Sequence, residues 1–163
     1  MQKACGALKS QKSCGCTTNP GSAKFDVFVP MGNQLMREDF VVYMQSAFWD
    51  GRPDIYLLLV EAVAGVAMRG TWSPYNCHEW HGCSGGKKQV LNLCNTVNSV
   101  NVGFNGQYWM NVTMDSTRTE GTVDCWAIRS TGQRFLENNI HEKAEKAMGL
   151  KDGELWVHDE CVM

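Results

Sequence analysis

The chain has 163 residues, 44% of them hydrophobic, with 15 Lys+Arg against 17 Asp+Glu for a formal net charge of -2. That length suits one domain with enough core to fold without covalent help, so its eight cysteines speak of environment rather than of size. No stretch gathers the basic residues that a phosphate backbone requires, which argues against nucleic acid. The most apolar run, Ile55 to Met68, contains Glu61 and is shorter than the about 20 residues a membrane-spanning helix needs.

Residues 1–23 mix Gly, Ser, Thr and Lys with three cysteines and show no periodicity, so they are expected to form an irregular arm held down by its sulfurs. They also lack the apolar core of a secretory signal, and export then implies a leader removed ahead of Met1. Lys24 to Pro30 reads as a short strand closed by proline. Met36, Phe40, Met44 and Phe48 recur every four residues and predict an amphipathic helix ending near Asp50-Gly51. Pro53 opens a second helix running to Arg69, with Gly70 placed to stop it.

Past Gly70 the period changes to two. Tyr75 to Gly86 crowds two cysteines, two histidines, a carboxylate and a glycine turn together and predicts an exposed loop. Ser99 to Phe104 and Gln107 to Met114 flank Asn105-Gly106, the signature of a tight hairpin. A two-residue loop sets Val102 opposite Trp109 and leaves Tyr108, Met110, Val112 and Met114 on the other side, unless a bulge near Gly103 shifts the register. Gly121 to Ile128 reads as a strand. Ser130-Thr-Gly-Gln133 matches a capping box before a helix with Leu136, Ile140, Ala144 and Met148 on one side, capped by Gly149. Glu154 to Val162 alternates as a last strand. The expected fold is α+β: one domain over 1–163, a two-layer α/β sandwich of mainly antiparallel sheet with helices on one face, stapled by disulfides.

Cys5, Cys14, Cys16, Cys77, Cys83, Cys94, Cys125 and Cys161 are spread from end to end, whereas metal sites gather their ligands in close pairs, so all eight are expected in disulfides. As zinc ligands, Cys77, His78, His81 and Cys83 offer the right donors, but adjacent Cys77 and His78 cannot easily reach one ion; the alternative set is Cys77, His81 and Cys83, and no HExxH motif supports it. A cysteine hydrolase would pair a thiolate with His78, His81, His141 or His158. A glycoside hydrolase would pair Glu79 with Asp124 or Glu154 with Asp159. No cofactor is implied. Asn111-Val-Thr113 is a glycosylation acceptor if the chain is exported. Among six tryptophans, Trp80 sits in polar surroundings, and with His78, Glu79, His81 and Trp109 it forms the candidate binding set. A carbohydrate-binding module would use Trp80 and Trp109.

Cys77 followed after five residues by Cys83-Ser84-Gly85-Gly86, Asp124-Cys125 before a helix, and Gly153-Glu-Leu-Trp-Val157 with Cys161 closing make residues 75–163 resemble secreted fungal killer toxins and related cysteine-rich effectors. The resemblance implies an extracellular, disulfide-stapled α/β sandwich that acts in virulence or intoxication by binding a protein or glycan on another cell. The chain departs from that pattern in having sparser cysteine pairs and about seventy further N-terminal residues.

Overall fold

The computed structural model of the chain describes residues 13–15, 22–72, 74, 76–84, 86–116, 125–151 and 157–160. Among these residues the order is β1 (Ser13–Gly15), β2 (Ser22–Met31), β3 (Gln34–Phe48), α1 (Pro53–Thr71), β4 (Cys77–Ser84), β5 (Lys87–Cys94), β6 (Ser99–Phe104), β7 (Tyr108–Ser116), α2 (Cys125–Asn139), α3 (His141–Met148) and β8 (Val157–Glu160). The fold is α+β, with helices packed on a mainly antiparallel sheet, as the order of elements predicted.

The sheet runs β5-β4-β3-β7-β6-β8, and β1 and β2 both pair with β3. β3 therefore carries partners on both edges: β2 and β1 along one, β7 along the other. A single parallel bridge joins Gln34 to Cys83 of β4. β2 and the first half of β3 extend past the end of β7 as a long hairpin arm.

The expected helix over Met36–Phe48 is thus a strand. Residues four apart share a face in a strand as well as in a helix, so the spacing could not separate the two. A bulge at Gln45 then brings Met44 and Ala47, three residues apart, to the same buried face, which imitates a helical stripe.

The β6–β7 register also differs from a two-residue loop. Asn105 and Gly106 take positive φ, Gln107 donates back to the Phe104 carbonyl at 3.0 Å, and Gln107 remains as an extra residue before Phe104 pairs with Tyr108. Val102 therefore opposes Met110 rather than Trp109. That one-residue change places Val100, Val102, Phe104, Met110, Val112 and Met114 together on the buried face.

α1 follows the turn at Asp50-Gly51, both in positive φ, and starts on Pro53 as expected. It lays Ile55, Tyr56, Leu59, Ala62, Val63 and Val66 against the sheet, and Trp49 packs on Tyr56 at 5.2 Å between ring centres. Gly70 lies inside the last turn rather than beyond it.

The predicted strand over 121–128 is helical from Cys125, and residues 121–124 lie outside the described set. Ser130 and Thr131 are inside α2 rather than at its cap. Leu136, Ile140 and Ala144 are fully buried on one side, with Ile140 at the junction of α2 and α3, and Gly149 closes α3 at φ 69°. Glu61 of α1 meets Lys143 of α3 at 2.6 Å. The C-terminal strand pairs with β6, Phe104 opposite Val157.

Candidate functional site

Within the predicted loop over 75–86, the described residues Cys77–Ser84 are a strand, β4, which pairs residue by residue with β5, from Cys77–Cys94 to Ser84–Lys87. The stretch is polar because this hairpin lies at the edge of the sheet, where β-propensity competes with exposure rather than with a core. The alternation in Lys87–Cys94 was the signal for β5.

Its base is tied to the end of α1. Asn76 is buried, its Nδ2 donates to the Gly70 carbonyl at 2.8 Å, and Cys77 Sγ lies 3.4 Å from the Thr71 carbonyl. The directly opposed Cys77 and Cys94 form a disulfide. Its tip is tied to the β2–β3 turn, where Cys83 N–H donates to the Asn33 carbonyl at 2.7 Å.

Trp80 completes that second joint. Only 8% of it is exposed, its ring lies over Gly82, and its Nε1–H donates to the Gly32 carbonyl at 3.3 Å. A Cβ on Gly82 would stand 1.9 Å from the ring, so the glycine makes room for the indole. Trp80 is an internal clamp between two hairpins rather than an exposed binding residue. Trp80→Ala is expected to leave the Trp49–Leu59–Phe104 core intact while amides of β4 and β5 exchange at least tenfold faster in hydrogen-exchange measurements. Unchanged exchange would remove the clamp role.

The remaining predicted residues divide between surfaces. His78 is exposed on the opposite face of β4 from Glu79 and His81. Glu79 and His81 are neighbours on one face, with Oε1 and Nε2 2.6 Å apart, both in solvent. Cys83 follows on that face, half-buried and carrying a free thiol, which corrects the expectation that it is bonded. Among the described residues no hydrogen bond joins it to His81, so the Glu79–His81–Cys83 row does not assemble a nucleophile with its base. The disulfide removes Cys77 from the alternative zinc set, and among the described residues no group of three His, Cys, Asp or Glu side chains is placed to hold a metal ion.

Trp109 is on the sheet face away from the helices, stacked on Phe48 at 5.2 Å and partly exposed, apart from Trp80. Asn111 is half-buried in the centre of that face, between Ser46 and Asn101, with Oδ1 3.2 Å from Ser99 Oγ. The side chains of Cys5, Cys14, Cys16, Cys125 and Cys161 lie outside the described residues, as do those of His158 and Asp159.

Surface residues that the sequence did not group together surround this joint. Register places Met31 and Met36 of the arm, Gln34, and His81 and Val90 of the β4–β5 hairpin on one side of the continuous sheet. Met31, Met36 and Val90 are exposed, Val90 to 58%, and Phe28 is 65% exposed on the reverse side. No described helix is long and apolar enough to cross a membrane. No family model, curated protein or solved structure matches the chain.

Proposed function

We propose that the protein is a secreted, disulfide-stapled binding protein of effector or toxin type that engages a protein target on another cell through the platform where the β2–β3 turn meets the β4–β5 hairpin. The observation that carries the reading is the group of exposed apolar side chains there, Met31, Met36 and Val90, rimmed by Glu79, His81 and Lys88. Exposed apolar residues bordered by charge mark association surfaces, and methionine adapts to the shape of a partner. The Cys77–Cys94 bond supports an oxidising compartment, and the resemblance of residues 75–163 to secreted toxins supports the class.

Two alternatives draw less support from the described residues. A carbohydrate module built on Trp80 and Trp109 would need both rings exposed on a shared face, and Trp80 is buried beneath a separate hairpin. Of the hydrolase residues that are described, Cys77 is bonded to Cys94 and Cys83 makes no hydrogen bond to His81, so they give that reading no support.

The test is binding of fluorescently labelled protein to a panel of intact fungal, plant and animal cells, compared with Met36→Ser/Val90→Ser. The wild type is expected to bind at least one cell type saturably, and the variant to bind about tenfold more weakly with an unchanged melting temperature. Equal binding by both proteins, or no saturable binding to any cell, would overturn the reading.

A further inference from the structure

β2 is an edge strand. Among the described residues it pairs only with β3, so one side of this ten-residue strand has no strand partner among them. Such edges are templates for another strand and are commonly guarded by charge or proline. Here the guards are arranged in a way that selects one partner.

The two-residue loop Gly32-Asn33, with Gly32 in positive φ, closes on the Met31–Gln34 pair, so that pair and every second one before it exchange hydrogen bonds within the hairpin. Met31, Val29, Val27, Phe25 and Ala23 direct their backbone groups to β3. Ser22, Lys24, Asp26 and Phe28 direct theirs outward, and so does Pro30, whose missing N–H is tolerated on that side.

The outward set, 22, 24, 26 and 28, is symmetric about Phe25. A second β2 placed antiparallel with Phe25 opposite Phe25 pairs Lys24 with Asp26 and Asp26 with Lys24, and pairs Ser22 with Phe28 at each end. The four pairs supply about eight backbone hydrogen bonds. Pro30 falls beyond the paired window.

The same charges reject the neighbouring registers. Sliding by two residues sets Lys24 against Lys24 in one direction and Asp26 against Asp26 in the other, and like charges directly opposite are unfavourable. Sliding by one residue sets outward groups against inward ones, and no ladder forms.

On β3, Arg37 donates to Asp26 and Asp39 lies 3.7 Å from Lys24. Both contacts are diagonal: Asp26 itself faces Asp39 in the hairpin, and Arg37 offsets that like-charge pair. On the other face Phe25 is 48% exposed and opposes Phe40 within the hairpin, so the paired edges would align Phe40, Phe25, Phe25 and Phe40 in one row across the joint.

We infer that β2 is the self-association edge of this protein, pairing with β2 of a second copy about a two-fold axis at Phe25 to form one continuous sheet. A strand edge of this length covers less than the roughly 1,200–2,000 Å² of a stable interface, so the dimer is expected to be reversible, with a dissociation constant in the micromolar range. The two-fold sets two binding platforms in one particle and gives avidity on a cell surface.

Sedimentation of the full chain between about 1 and 500 µM tests the inference by mass, independently of any target. The wild type is expected to shift from 18.2 kDa toward twice that mass. Lys24→Asp makes an edge with two acids, and Asp26→Lys makes one with two bases. Each variant alone is expected to stay monomeric at 500 µM, and an equimolar mixture is expected to form the heterodimer, because each acidic edge then faces a basic one. Melting curves check that both fold. A wild type that stays monomeric at 500 µM overturns the inference. So does a dimer that survives in either variant alone, or a mixture of folded variants that does not associate.

Discussion

Replacing Gly65 with alanine is expected to weaken the fold by about 1–2 kcal/mol, and replacing it with valine by about 2–4 kcal/mol, as read from urea unfolding. Gly65 lies midway along α1, where glycine by itself costs helix stability, so the substitution to alanine would ordinarily gain about 1 kcal/mol. The sign reverses because α2 comes in close at this point. A Cβ on Gly65 would stand 2.0 Å from the Phe135 ring, well inside contact distance, and the ring is half-buried between α1 and α2.

The ring must therefore tilt outward, and it loses contact with the core residues it covers, beside the fully buried Leu136. A double-mutant cycle isolates that cause. With Phe135→Ala already in place, Gly65→Ala is expected to stabilise, because the obstacle has gone and only the gain in helix propensity remains. If alanine at 65 destabilises equally in both backgrounds, the close approach of α1 and α2 is not its cause.

The core was more legible than the surface. Helix α1, the buried row Leu136–Ile140–Ala144, the Gly149 cap and the place of the last strand all follow from periodicity and from residues with one backbone preference. β3 was not legible, since a strand with a bulge at Gln45 and a helix share the spacing of Met36, Phe40 and Met44. Nor was Trp80. Its polar neighbours predicted exposure, while its burial depends on Gly82 beneath it and on the Gly32 carbonyl, 48 residues away in sequence, which only the fold brings close. The self-complementary edge is written in Lys24 and Asp26. It gains meaning only once Gly32-Asn33 fixes which backbone groups face outward.

Removing the Cys77–Cys94 bond, by a Cys77→Ala/Cys94→Ala double variant, is expected to cost about 3 kcal/mol, since the bond closes a loop of separation 17. In a protein of this size that is a fall in melting temperature of about 6–12 °C. Cys83→Ser is expected to change little, because Cys83 holds a thiol at the far end of β4.

The pair of variants also settles the assignment of the bond. Cys77 and Cys83 are six residues apart on one extended strand, about 20 Å, while a disulfide requires Cα atoms within about 7 Å. β4 as a strand and a Cys77–Cys83 bond are therefore mutually exclusive. If Cys83→Ser lowers the melt as far as the double variant does, the 77–84 segment is a closed loop rather than a strand, and the Trp80 clamp and the platform fall with it. If only the double variant melts early, the bond is the one that closes the base of the β4–β5 hairpin. Dithiothreitol should then reproduce at least that loss in the wild type.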